Sequence, residues 1–266
     1  MSGSFEELAS VDGRVTPTAE ATIGLKDDGL YRGDGAFEVI RLYAGKPFAL
    51  GEHVDRLGRS SAAIGLEFDR AALEAEIAAL LAEAGPVDGQ LRLIVTRGGH
   101  RIAATEPVPA HAESVRVATI PYSTTGILDR VKSLSYAANM HATRRAKQGG
   151  ADEALLVRAD GTVLEPPTST IFWASADGAL RTPSLELPIL DSITRDRLVA
   201  ALEVEEGAWP LADLLAASEA FLASTTREVQ AVAAVDDVEL SLVPGPRTLE
   251  AQEAFAETVR RELEAS

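Results

Sequence analysis

Apolar and polar residues alternate with a period of two through residues 33–50, "GDGAFEVIRLYAGKPFAL", on both sides of an Ala-Gly-Lys turn, which predicts a β-hairpin. The period changes over residues 69–85, "DRAALEAEIAALLAEAG". An Asp at the N-cap, apolar residues at helical spacing and a terminal Gly predict an amphipathic helix there. Strand patterns return in "GQLRLIVTRGG" and "ESVRVATIPY", followed by the polar, loop-like "STTGILDRV". A lobe boundary is expected near Pro121, dividing the chain into an N-terminal lobe over 1–120 and a larger C-terminal lobe over 121–266. Beyond it, the segment from Ala137 reads as a helix stopped by Gly149 and Gly150. "DEALLVRADGTVLE" and "STIFWASADGALRTP" each predict two strands joined at an Asp-Gly turn. "SITRDRLVAALEVEEG" predicts a helix, and "EAFLASTTREVQAVAAVDD" a strand, a hydroxyl-rich corner and a further strand. A final helix covers "PRTLEAQEAFAETVRREL". Helices and strands mix without a βαβ rhythm, so the fold class is α+β and not doubly wound.

Composition narrows the partners. With 46% hydrophobic residues the chain can build a sizeable core. No run approaches the roughly 18 apolar residues of a membrane span. The first residues, "MSGSFEELASVDGR", are acidic and polar with no apolar stretch of signal-peptide type. A cytoplasmic protein without a membrane partner is expected. The net charge of −16 argues against nucleic acid, whose phosphates require a basic face. The absence of cysteine removes disulfides, thiolate metal sites and a Cys nucleophile. Only four lysines occur, at 26, 46, 132 and 147, so any lysine chemistry must use one of them.

Glycine-rich nucleotide loops, HExxH and GxSxG are absent, and the histidines at 53, 100, 111 and 141 lack metal-ligand spacing. These histidines read as surface or packing residues, and no metal is expected. Hydroxyls recur at two junctions: Ser192-Ile193-Thr194 opens a helix, and Ser224-Thr225-Thr226 ends a strand. Either alone is ordinary capping. Together with an arginine, for which Arg56 in "EHVDRL" is a candidate, they could form a cup for a phosphate dianion. Lys132, in "RVKSLSYAAN", is either a solvated lysine or an imine-forming amine, and the second use would need partial burial. Glu165 stands at a strand end, fixed by the stiff Pro166-Pro167 corner, and is either an ordinary strand-end acid or a carboxylate held in place.

Seven segments, in order, resemble the fold type IV family of pyridoxal 5'-phosphate (PLP) enzymes: "GDGAFEVIRLYAG", "HVDRL", "LRLIVTRG", "KSLSYAAN", "GADEALLVRADGTVLE", "SITR" and "STTREVQAV". That family includes branched-chain aminotransferases, D-amino-acid aminotransferases and aminodeoxychorismate lyases. The resemblance covers about residues 20 to 240. It implies a two-lobed fold, with a small N-terminal α/β lobe and a larger C-terminal lobe on a mixed sheet or barrel-like core. It further implies that Lys132 is the catalytic, Schiff-base lysine and that Glu165 pairs with the pyridine nitrogen. Arg56, Ile193, Thr194, Thr225 and Thr226 match the phosphate cup, and Tyr136 falls near the cofactor's phenolic oxygen. A carboxylate beside the ring nitrogen favours its protonated form, and a protonated ring stabilises a carbanion at the substrate's Cα. The chain departs from the family at Pro166-Pro167 and Thr170, where small residues and an Asn are usual, and at Ser192, where a Gly is usual.

The activity implied is ping-pong transamination between an amino acid and a keto acid. "FEVIR", residues 37–41, resembles the transaminases more than the lyase, which points to D-amino acids or branched-chain amino acids as substrates. A 4-amino-4-deoxychorismate lyase releasing pyruvate and 4-aminobenzoate is the alternative, and a non-catalytic PLP-binding relative is the second. For the substrate carboxylate, Arg97 and Arg101 in "TRGGHRI" lie near where D-amino-acid aminotransferases carry an Arg and a His. Arg32 stands just before Gly33, where the family usually has an aromatic residue, and offers a bidentate donor. The resemblance also implies a homodimer.

Overall fold

The computed structural model describes residues 5–265. The chain forms two units: residues up to Pro109 together with Val131–Tyr136, and Ala110–Arg130 together with Ala137–Glu264.

The first unit is an antiparallel sheet with three α-helices, one short and two longer. Its elements are β1 (Leu8–Val11), β2 (Arg14–Pro17), α1 (Asp28–Arg32), β3 (Gly35–Tyr43), β4 (Lys46–Pro47), α2 (Leu50–Ala63), α3 (Arg70–Ala84), β5 (Gly89–Thr96) and β6 (Arg101–Glu106). The six strands run in the order β2-β1-β6-β5-β3-β4. The expected hairpin is β3–β4, with Leu42 opposite Pro47. The period-two pattern of β3 turns Ala36, Glu38, Ile40 and Leu42 inward. Val54 and Leu57 of α2 and Leu73, Ile77 and Leu80 of α3 join this face with Leu91, Leu93 and Val95 of β5 in one core. The cap expected for α3 is present, since Asp69 accepts from the Ala72 N–H at 3.0 Å.

The second unit carries a mixed sheet. Its elements are β7 (Ser114–Pro121), α4 (Ala137–Gln148), β8 (Glu153–Val157), β9 (Thr170–Ala174), β10 (Leu180–Pro183), α5 (Ile193–Ala201), β11 (Val204–Gly207), α6 (Leu211–Leu215), β12 (Glu219–Ser224), β13 (Glu228–Val235), β14 (Val238–Glu239) and α7 (Pro246–Ala265). The strand order is β11-β10-β9-β12-β13-β7-β8, with β14 on β13. Three pairs, β10–β11, β13–β7 and β7–β8, are parallel. Ile171 and Trp173 of β9, Ala220 and Leu222 of β12 and Leu214 of α6 form a core on one face. On the other face of the same strands Phe172 stacks on Phe221, with ring centroids 5.0 Å apart. No helix among the described residues is long and apolar enough to cross a membrane.

Three details differ from the pattern-based expectation. The division falls at Pro109/Ala110 and not near Pro121, because β7 pairs with β13 and β8 and so belongs to the second sheet. Val131–Tyr136, expected in the C-terminal lobe, belongs to the first unit, where it docks against the start of β3. The second limb of "DEALLVRADGTVLE" is an isolated bridge, Val157 to Val163, and not a full strand, although the Leu156 N–H reaches the Glu165 carbonyl and the Leu164 N–H the Leu156 carbonyl.

Candidate active site

Lys132 lies in an extended stretch beside β3. Its carbonyl accepts from the Phe37 N–H at 3.0 Å, and the Leu134 N–H donates to the Gly35 carbonyl at 2.9 Å. Residue 35 must be glycine for this approach, since a Cβ would run into the Val95 carbonyl and the Leu134 side chain. From α2, Ser60 Oγ accepts the Lys132 N–H at 3.2 Å. The Lys132 amine sits 4.5 Å from the centroid of the Phe37 ring and 6.0 Å from that of Tyr136. These two rings meet edge to face at 5.4 Å. The half-buried amine therefore has aromatic walls and a backbone fixed on both sides.

Beneath β3 lies a cluster that the sequence patterns alone did not single out. Glu38 is fully buried. Arg56 forks onto it, Nε to Oε1 and Nη2 to Oε2, both at 2.7 Å. His53 Nδ1 reaches Oε2 at 2.8 Å. Burial pushes the Glu38 carboxyl up, but the charge and hydrogen bonds of Arg56, with those of His53, outweigh it and bring it down to about 2. For His53, burial is the largest influence and favours the neutral ring. Glu38 opposes it, and the charges of Arg56 and Lys132 reinforce it. His53 is thus buried and neutral, the packing alternative of the two readings its spacing allowed. A signal existed in the pattern: Glu38 shares the inward register of Ala36, Ile40 and Leu42, where an acid requires a partner.

In the second unit, Glu165 is half-buried, and its Oε1 accepts the Leu190 N–H at 2.9 Å. Leu164 and Ile189, the residues preceding each, lie in one apolar cluster with Leu156 and Leu187, which fixes both ends of that bond. Ser192 caps α5 through the Arg195 N–H at 3.3 Å. The N–H groups of Ile193 and Thr194, in the first turn, have no acceptor within the helix. At the other hydroxyl-rich corner, Ser224 Oγ accepts the Arg227 N–H at 3.3 Å. Arg227 is anchored to the buried Glu153 at 2.6 Å, which holds the half-buried Thr225 and Thr226 between β12 and β13. The hydroxyls of Ser169 and Thr170, just before and at the start of β9, are buried without a hydrogen-bond partner. Asp196, one turn into α5, is pushed up to about 6 by burial and by the charge of Asp191.

The three arginines considered for a substrate carboxylate differ in engagement. Arg97 forks onto Asp34 and donates to the carbonyls of Gly65 and Ile64, at 2.6 and 2.7 Å. Arg101 binds Glu76 through Nε and Nη2. Both guanidinium groups tie elements of the first unit together. Arg32 is exposed and touches Asp28 one turn before it.

Taken unit by unit, these residues suit parts of PLP. In the first unit an amine beside aromatic rings and a buried arginine suit an aldehyde and a phosphate; in the second a capped helix start, a hydroxyl-rich corner, unpaired buried hydroxyls and a carboxylate oriented by a backbone N–H suit a phosphate and a pyridinium. Among the described residues, no group of three or more His, Asp or Glu could hold a metal ion.

The family model of class IV amino-transferases matches residues 35–235. The D-alanine aminotransferase of Bacillus licheniformis is 33% identical, over 94% of this chain and 96% of its own. The aminodeoxychorismate lyase of Bacillus subtilis is 28% identical, over 94% of both. Among solved structures, the branched-chain aminotransferase of Thermoproteus uzoniensis with norvaline superposes with a TM-score of 0.86 at 28% identity, covering 96% of this chain and 95% of that one. A hypothetical aminotransferase of Mycobacterium tuberculosis in its PLP-bound form gives 0.84 at 26%, covering 95% and 98%. The chain belongs to the class IV aminotransferases, PLP-dependent enzymes of fold type IV.

Proposed function

We propose that this chain is a transaminase that moves an amino group between a D-amino acid and a 2-keto acid. The observation that carries the reading is the 33% identity, over 94% of the chain, to a protein named as a D-alanine aminotransferase. The branched-chain enzyme that shares the fold makes branched-chain amino acids the next class to test.

Lys132 would hold the cofactor covalently. Arg56, the N–H groups of Ile193 and Thr194, and the Thr225–Thr226 corner would hold its phosphate. Tyr136 would serve its phenolic oxygen. Bound PLP supplies an electron sink for the carbanion formed at the substrate's Cα. Lys132 Nζ, freed when the substrate amine takes its place, would take the proton from the substrate's Cα as general base and hold it as the general acid of the transfer. Glu165, whose carboxylate is oriented by the Leu190 N–H, keeps a negative charge toward the pyridine nitrogen. Phe37 and Tyr136 line the amine, with ring centroids 4.5 and 6.0 Å away. Arg32 is assigned to the substrate carboxylate, because its guanidinium is 70% exposed and pairs with Asp28 on its own short helix, whereas those of Arg97 and Arg101, 34% and 22% exposed, tie separate elements together. The enzyme is read as a cytoplasmic homodimer.

Borohydride reduction of the purified protein followed by peptide mass mapping tests the covalent part. Modification at Lys132 supports it, and modification at Lys26, Lys46 or Lys147 overturns it. Parallel incubations with D-alanine, L-leucine and 4-amino-4-deoxychorismate, the first two with 2-oxoglutarate, test the reaction. Pyruvate release from the third without a keto-acid acceptor would favour the lyase reading, which the Bacillus subtilis relative supports.

A further inference from the structure

The Glu38–His53–Arg56 cluster has a composition that stability alone does not explain. All three side chains are buried. A buried ion pair seldom stabilises a fold more than apolar residues of the same volume would. Such a pair does fix the orientation of its members. Glu38 sits on β3, two residues beyond Ala36, the partner of Ser133 in the bridge that docks the Lys132 segment. His53, Arg56 and Ser60 recur at three and four residues along α2 and so share one face of that helix. Glu38 takes hold of that face at two points, and Ser60 extends it to the Lys132 backbone. The fork uses Nε and Nη2 of Arg56, which fixes the plane of the guanidinium and the direction of Nη1, outside the fork. His53 adds a hydrogen bond that holds the Glu38 carboxylate in the plane that the fork requires.

We infer that Glu38 is a positioning residue of the cofactor site, one that orients Arg56 toward the phosphate of PLP and leaves the rest of the cofactor untouched. This inference rests on the proposed assignment of Arg56 to the phosphate. An arginine without its fork still carries its charge, but samples several rotamers and gives up the directed hydrogen bond. The effect should therefore appear only for ligands that have the phosphate.

The test compares the apoprotein's affinity for PLP with its affinity for pyridoxal, which has the same aldehyde and ring but no phosphate. Both are followed by absorbance titration. Glu38→Gln should weaken PLP binding about tenfold while pyridoxal affinity stays within about twofold. Glu38→Asp keeps the charge but withdraws the carboxylate by one methylene. It guards against a Gln variant that fails to fold and should move the ratio in the same direction. Arg56→Ala is the reference and should abolish the preference for the phosphorylated ligand. Two outcomes overturn the inference alone: Glu38 variants that keep the wild-type ratio while Arg56→Ala loses it, or Glu38 variants that lose affinity for both ligands equally. If Arg56→Ala itself keeps the preference, the phosphate assignment falls, and the inference with it.

Discussion

Ser60 Oγ accepts the backbone N–H of Lys132 at 3.2 Å, and the two residues are 72 positions apart in the chain. The same helix face presents Arg56 one turn earlier. A single helix thus sets the backbone of the candidate catalytic amine and the orientation of the candidate phosphate arginine. Removing the Ser60 hydroxyl leaves a partly buried donor without this acceptor. Ser60→Ala should cost about 1 kcal/mol in urea unfolding, and an unchanged unfolding midpoint would show that the bond carries no weight.

Glu38→Gln should destabilise the fold by about 3 kcal/mol near neutral pH, since it leaves the buried Arg56 charge uncompensated. The wild type has a matching acid limb. The Glu38 carboxyl is depressed from 4.5 to about 2 in the folded state, so its contribution is complete above 4.5 and is lost as the pH falls toward 2. The Gln variant should lack that part of the acid limb. Parallel acid limbs for the two proteins would contradict the assignment.

Asp196 works in the opposite direction. Its carboxyl is raised from 3.8 to about 6 by burial and by Asp191. The folded state therefore binds the proton more tightly than the unfolded one, and stability declines as the pH rises from 3.8 through 6. Asp196→Asn should raise Tm well above pH 6 and change it little below 3.8. Equal gains at both extremes would rule out a titration effect.

Arg32→Ala should raise KM for D-alanine about tenfold with kcat nearly unchanged, as expected for uniform substrate binding lost with one charge-assisted pair. Arg97→Ala should leave KM alone and lower Tm, because Arg97 ties Asp34 to the carbonyls of Ile64 and Gly65. Reversed effects would exchange the two roles.

Glu165→Gln should lower kcat by at least tenfold and leave the unfolding midpoint close to wild type, since the amide oxygen still accepts the Leu190 N–H while the charge is gone. Full turnover in this variant would remove Glu165 from the chemistry.

Much of this arrangement was legible in the residues. The β3 hairpin and α3 followed from period and capping, and Lys132 and Glu165 stood out by position and by a resemblance spread across the chain. The β1–β2 hairpin was not legible, because each strand has four residues, too few for a period to register. The lobe boundary was misplaced because β7 has the same pattern whether it closes one sheet or joins the other. Glu38 shares the inward register of its strand, but a register names no partner, and the spacing of His53 says only that it is a surface or packing residue.

By itself the sequence determined what is local: which segments are helices or strands, which residues can form an imine or hold an anion, and to which family the order of motifs belongs. Only tertiary structure decided that Glu38, His53 and Arg56 share one buried cluster, that Ser60 holds the Lys132 segment, and that Arg97 and Arg101 serve internal acids. The physical reason is that a charge is spent on whichever partner the fold brings within about 3 Å, and for these groups that partner lies far away along the chain.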